Sequence, residues 1–184
     1  MNDRLIYLMG PSGAGKDSLL GFARARLAAE GVVLAHRYIT RAEGGGENHI
    51  ALTDHEFDAR ARLGLFALQW RSHALRYGIG VEIDQWLGLG CTVVVNGSRA
   101  YMGEALKRYP QMTLVHVEAA HPVLAARLAS RGRETPAQIA ARLARQAPFE
   151  VPAGACLARI DNSGRLEEAG EAFVEVVRRV AAGR

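Results

Sequence analysis

The chain has 184 residues, 49% hydrophobic and 23% charged. That balance suits one globular domain with a full core, and it excludes a disordered tail or a membrane-spanning bundle. The formal charge is +4, yet aromatic residues make up only 7% and are scattered, so the sequence offers no basic stripe with interleaved aromatics for nucleic acid.

In chain order, residues 4–9 predict a strand, followed by a glycine turn and a helix over 16–30 that Gly31 ends. A second strand is expected over 32–39. The stretch 41–48 contains Gly44, Gly45 and Gly46, and three glycines hold neither helix nor strand, so it is a loop. Thr53 and Glu56 have the spacing of a capping box, opening a helix that runs to about residue 63. Short strands are expected at 66–71 and 74–82, a buried central strand at 91–96, a helix near 99–108 and a strand at 112–118. A helix over 122–130 leads into the polar run Arg131-Gly132-Arg133-Glu134, then a helix capped by Thr135 with Pro136 in its first turn. A strand at 157–160 and an amphipathic helix over 164–182 close the chain. Apolar strands alternating with helical patterns predict an α/β fold with a parallel sheet of about five strands flanked by helices. The expected organisation is a single domain, with a core of residues 1–39 and 83–184, a small inserted lobe at about 40–82 and a lid at about 131–146.

The chemistry centres on Gly10-Pro11-Ser12-Gly13-Ala14-Gly15-Lys16-Asp17-Ser18. A strand, this loop and then a helix form the context of a phosphate-binding P-loop, the hallmark of the P-loop NTPase fold. Its glycines let successive backbone N–H groups turn inward onto phosphate oxygens, and the helix N-terminus adds partial positive charge. Lys16 reaches the β- and γ-phosphates as a point charge. The expected cofactors are therefore ATP and Mg²⁺. Where a Ser or Thr usually follows the lysine, this chain has Asp17. A carboxylate is also a hard oxygen ligand suited to Mg²⁺, so Asp17 is the expected metal residue, directly or through water, with Ser18 as the second candidate.

Of the 23 basic residues, only Lys16 and Lys107 are lysines, and arginine forks match phosphate oxygens in pairs. Arg131, Arg133 and Arg142 are placed to close over ATP and neutralise charge as the phosphoryl group moves; Arg145 reads as solvated surface. Arg37, Thr40 and Arg41 lie at the carboxyl end of the second expected strand, where open α/β sheets bind ligands. His49, Gln69, His73, Tyr77 and Asn96 are the further polar candidates for an acceptor site. His116, inside an apolar strand, reads as structural.

Together the loop at 10–18, the Thr40-Arg41 turn, the Tyr77-Gly78 pair, the Arg131-Gly132-Arg133-Glu134 lid and Asn162 resemble the guanylate kinase-like family over nearly the whole chain. Within it, Lys16-Asp17-Ser18, Arg37 to Arg41, His49, Tyr77 to Gly80 and Val95-Asn96-Gly97-Ser98-Arg99 look most like the ribose 1,5-bisphosphate phosphokinases of phosphonate breakdown. The resemblance implies conversion of ATP and ribose 1,5-bisphosphate into 5-phosphoribosyl 1-diphosphate and ADP, and it places Asn162 near the adenine. True guanylate kinases hold guanine with acidic side chains; here Gln69 and Asn96 stand in that stretch, which leaves guanine's N–H donors poorly paired. The expected partner is thus a small sugar bisphosphate, not nucleic acid or a membrane, with a homodimer left open. Two cysteines, Cys91 and Cys156, make no disulfide framework, and the opening residues lack a leader's long apolar stretch, so the expected location is cytoplasmic. The rival readings are a guanylate kinase with an altered base pocket, and a related interaction module that has lost catalysis.

Overall fold

The computed structural model describes residues 3–42, 49–72, 74–130, 132, 135–144 and 149–183. Strand β1 (Leu5–Met9) is buried along its whole length and feeds the glycine loop and helix α1 (Lys16–Leu27). It lies at the centre of an all-parallel sheet in the order β2-β7-β1-β8-β9, formed with β2 (Val32–Leu34), β7 (Thr92–Asn96), β8 (Thr113–Glu118) and β9 (Leu157–Asp161). Continuous apolar runs such as Thr92-Val-Val-Val-Asn96 belong in a sheet covered on both faces.

Side chains alternate across that sheet, and each face has its own core. Ile6, Leu8, Val94, Val115 and Val117 pack against α1, α5 (His121–Ser130) and α7 (Leu166–Ala181). Leu5, Tyr7, Met9, Val93, Val95 and Leu114 pack against α3 (Glu82–Gly88) and α4 (Met102–Arg108). The second core continues into a lobe through Ala67, Leu68 and Ile79.

That lobe has its own four-stranded sheet in the order β4-β3-β6-β5, from β3 (Arg37–Ile39), β4 (His49–Ala51), β5 (Phe66–Ser72) and β6 (Leu75–Gly80). Helix α2 (Asp54–Arg62) belongs to the same segment, and its capping box is formed: Thr53 Oγ1 accepts from Glu56 N at 3.2 Å and Thr53 N donates to Glu56 Oε2 at 2.7 Å. Thr135 caps α6 (Pro136–Ala144) in the same way, paired with Gln138.

The strand expected over 32–39 is two strands in two sheets. Ala35 N still bonds Val94 O at 2.9 Å, and the chain then leaves the core at His36. The two sheets therefore divide between Leu34 and Arg37, ahead of the expected division after residue 39. No glycine or proline marks the departure; the polar pair His36-Arg37 alone separates the apolar run 32–35 from Tyr38 and Ile39. Helix α3 and strand β4 were not foreseen either, being seven and three residues long. Among the described residues no helix is long and apolar enough to cross a membrane.

Candidate active site

The glycine loop sits at the carboxyl end of β1, between β7 and β8, where open α/β sheets bind ligands. Gly13 and Gly15 adopt φ of 86° and 87°, left-handed values that turn the loop's N–H groups inward. Gly10 is needed for a different reason: a Cβ there would collide with Val117 O of the neighbouring strand. Within the curl, Ala14 N bonds Pro11 O at 3.2 Å, and Leu19 N bonds Gly15 O at 3.0 Å as α1 begins. Lys16 Nζ donates to Gly10 O at 2.9 Å and Pro11 O at 3.1 Å, so its ammonium lies within the loop it is expected to serve. Ser12 completes the turn, and Ser18 is exposed on the first turn of α1.

Asn162, at the end of β9, is 1% exposed and donates from Nδ2 to Ala14 O at 2.7 Å. Its own N–H bonds Glu118 O at 2.8 Å. The side chain is thus a brace under the phosphate loop, and a Cβ on Gly15 would run into it. Asn162→Ala leaves Ala14 O without that donor in a buried place, a loss of about 1–3 kcal/mol. The expected result is a fall of several degrees in melting temperature, with a raised KM for ATP and a smaller change in KM for the acceptor. Calorimetry and initial-rate kinetics on the variant check both parts; an unchanged KM for ATP would remove the loop-bracing role.

On the other side of the loop, Asp17 Oδ1 accepts from Arg37 Nη2 at 3.2 Å and from Asn96 Nδ2 at 3.0 Å. This knot joins three elements: the start of α1, the first residue of the lobe and the last residue of β7. A cavity of about 120 Å³ opens beside it, lined by Asp17, Gly21, Arg24, Arg37 and Asn96 with Leu20, Leu34 and Ala35.

Both of Asp17's bonds fall on Oδ1, which leaves Oδ2 with Ser18 Oγ as hard oxygen donors beside the loop. That donor set fits Mg²⁺, which needs only one or two protein oxygens and takes the rest from phosphates and water. Among the described residues no cluster of three or more His, Cys, Asp or Glu forms a separate metal site.

The remaining acceptor candidates divide. Tyr77 joins the knot loosely, with Arg37 Cζ 5.9 Å from its ring centre. Its ring stacks on Trp70 at 5.4 Å, and Trp70 stacks on Tyr101 at 5.6 Å, so an aromatic column links lobe and core. Thr40 Oγ1 accepts from Arg76 N at 2.9 Å and holds β3 to β6. His49 is buried, with Nε2 3.3 Å from Arg41 O, which ties β4 back to the end of β3. Gln69 is exposed and alternates to the face opposite Leu68 and Trp70, which pack on the core. Arg131, Arg133 and His73 lie outside the described residues, as does the 43–48 part of the glycine-rich loop. Arg142 is in α6, but its side chain is likewise outside the described part.

Several residues near the site have no sequence signal of their own. Arg127 on α5 places Nη1 near Gly15, buried and without a hydrogen-bond partner among the described residues. Tyr7 is inside an apolar strand, yet its hydroxyl both donates to Ser98 O and accepts from Ser98 N, each at 2.9 Å. Burial raises its pKa well above the usual phenol range, so it stays a neutral clamp.

A central parallel sheet, a glycine loop curled at the end of β1 and a lysine inside that loop define the P-loop NTPase fold. No family model matches the chain. Curated relatives do: the ribose 1,5-bisphosphate phosphokinase PhnN of Burkholderia pseudomallei is 58% identical over 179 residues, covering 97% of each chain. The protein of that name from Thiobacillus denitrificans is 56% identical, covering 95% of this chain and 92% of its own. Solved structures agree on the fold: a guanylate kinase from Anaplasma phagocytophilum matches with a TM-score of 0.67 at 15% identity, over 95% of this chain and 84% of that one. A sugar kinase from a Janibacter species matches at 0.55 and 19% identity, over 97% and 96%. The chain belongs to the ribose 1,5-bisphosphate phosphokinase family.

Proposed function

We propose that this chain transfers the γ-phosphoryl group of ATP to ribose 1,5-bisphosphate, releasing ADP and 5-phosphoribosyl 1-diphosphate in phosphonate catabolism. The observation that carries this reading is the 58% identity to a ribose 1,5-bisphosphate phosphokinase over nearly the whole of both chains. The geometry supports it at the acceptor side. Asn96 is 2% exposed and bonded to Asp17, and Gln69 faces the other side of its sheet. Neither residue supplies the carboxylate that guanine's N–H donors require.

In this reading an oxygen of the sugar's 1-phosphate attacks the γ-phosphorus in line, and the bond to the β–γ bridging oxygen breaks. Phosphate monoesters are largely dianionic at neutral pH, so the nucleophile carries no proton to remove and no general base is needed. Lys16 and the loop amides hold the β- and γ-phosphates, and residues 131, 133 and 142 supply guanidinium charge from the lid. Asp17 and Ser18 would hold Mg²⁺, which neutralises phosphate charge when bound. Arg37, Arg41, His49 and Tyr77 border the acceptor's phosphate, and the lobe from Arg37 to Gly80 holds the acceptor. Nucleotide substrates and two unpaired cysteines, Cys91 and Cys156, suit work in the cytoplasm.

The test is ADP release from ATP·Mg²⁺ with ribose 1,5-bisphosphate and with GMP as parallel acceptors. Turnover with the sugar bisphosphate at a kcat/KM at least about 100-fold above that with GMP is expected from the missing carboxylates. Preference for GMP would return the chain to nucleotide metabolism.

A further inference from the structure

Arg99 opens a single 3₁₀ turn, Arg99–Tyr101, just past the end of β7. It is half-buried, and among the described residues it makes no hydrogen bond and no ion pair. Its guanidinium lies over Phe149, with Cζ 6.0 Å from the ring centre. Burial lowers its pKa, with no carboxylate to offset the cost. An unpaired, partly desolvated arginine is expensive to keep, and it is a candidate for a ligand contact.

A second orphan meets the same aromatic ring. His116 on β8 is 6% exposed and stands edge-on to Phe149 at 4.4 Å. Its Nδ1 is 2.8 Å from Glu118 Oε1, and Arg159 bonds that same carboxylate oxygen. Glu118 is thereby engaged and leaves Arg99 unanswered. With Nδ1–H donated to Glu118, a neutral imidazole presents Nε2 as an acceptor, and Nε2 is buried with no partner among the described residues. Burial pushes His116 below the usual histidine range, against the opposing pull of Glu118, which favours that neutral form.

The corner that carries Arg99 is rigid. Tyr7's hydroxyl bonds both the N–H and the carbonyl of Ser98, and Gly97 lies flat against the Tyr7 ring because a side chain there would collide with it. Tyr101, two residues on, is stacked under Trp70 of the lobe. A guanidinium fixed on the lobe side of the sheet and a neighbouring hydrogen-bond acceptor together match a phosphate monoester next to a hydroxyl.

We propose that Arg99 and His116, on either side of Phe149, form a subsite for the end of a phosphorylated sugar that does not react. Arg99 binds the distal phosphate, and His116 Nε2 accepts from a ring hydroxyl. This rests on the sugar-bisphosphate reading and gives it a specificity determinant.

The experiment compares wild type, Arg99→Gln and Arg99→Lys with two acceptors, ribose 1,5-bisphosphate and ribose 1-phosphate, and adds equilibrium binding of ribose 5-phosphate by calorimetry. Arg99→Gln is expected to lower kcat/KM for the bisphosphate by roughly 10- to 100-fold, the usual loss for a charge-assisted hydrogen bond, while turnover of ribose 1-phosphate and KM for ATP hold. Arg99→Lys recovers part of the loss. The melting temperature of Arg99→Gln stays level or rises, since an unpaired charge is removed; a purely structural arginine would lower it. Equal losses on both acceptors, or no loss on either, overturn the subsite. If the wild type turns over neither sugar, the functional reading fails by itself. Binding of ribose 5-phosphate that depends on Arg99 would still support the subsite, and binding indifferent to it would refute it.

Discussion

Lys16→Ala is expected to reduce kcat for ADP formation by about 10³-fold while leaving the fold in place. Removing one preorganised donor to a developing oxyanion costs about 10²–10³ in comparable sites, and a lysine at the β- and γ-phosphates adds a full charge to that donor. The structural cost is small, because Lys16 Nζ bonds carbonyls of its own loop, Gly10 O and Pro11 O, in a partly exposed site. Its backbone stays fixed by the helical start at Gly15 and by Asn162 on Ala14. Steady-state ADP release and a thermal melt check the two halves. Turnover within tenfold of wild type would sink the assignment of this loop as the nucleotide site.

Asp17 carries the second large effect, and two substitutions separate its roles. Asp17→Ala removes a metal-side oxygen and also strips Arg37 and Asn96 of their shared acceptor. Arg37's side chain is only 12% exposed, so it loses a carboxylate acceptor in a largely desolvated place; Asp17 itself is 31% exposed, which keeps the loss near the lower end of about 1–3 kcal/mol. A fall in kcat/KM of about 10²-fold or more is expected, with both substrates affected. Asp17→Ser restores the hydroxyl usual at this position but cannot reach Arg37 as a carboxylate does. Its KM for ATP is expected near wild type, while KM for the sugar bisphosphate stays raised by about tenfold. Equal recovery of both constants in Asp17→Ser would show that the tie to Arg37 has no bearing on the acceptor.

The phosphate loop was legible in the sequence because its signal is local: a strand, a run of glycines with a lysine, and a helix, all within adjacent residues. The Thr53–Glu56 capping box was legible as a pair, and Thr135 as a cap though not its partner Gln138, for the same reason. The parallel core followed from continuous apolar runs, which one-sided sheets do not tolerate. The Asp17–Arg37–Asn96 knot was not legible as a unit, although each member had been singled out, because the three are 20 and 79 positions apart and meet only where β3 begins and β7 ends. Arg99 and His116 were harder still. One looked like the end of a motif and the other like filler in an apolar strand, and only Phe149 brings them together. The break between β2 and β3 escaped because strand alternation records which face a residue takes, not which sheet it joins.

The glycine loop is held by two separate sets of contacts. Towards β8 and β9, Gly10 lies against Val117 O and Asn162 grips Ala14, contacts made wholly by the core. Towards β7 and the lobe, the tie is the carboxylate of Asp17. Such an arrangement is modular: the lobe could diverge, or be exchanged for one that reads another acceptor, without disturbing the cradle, provided the newcomer offers a donor to Asp17.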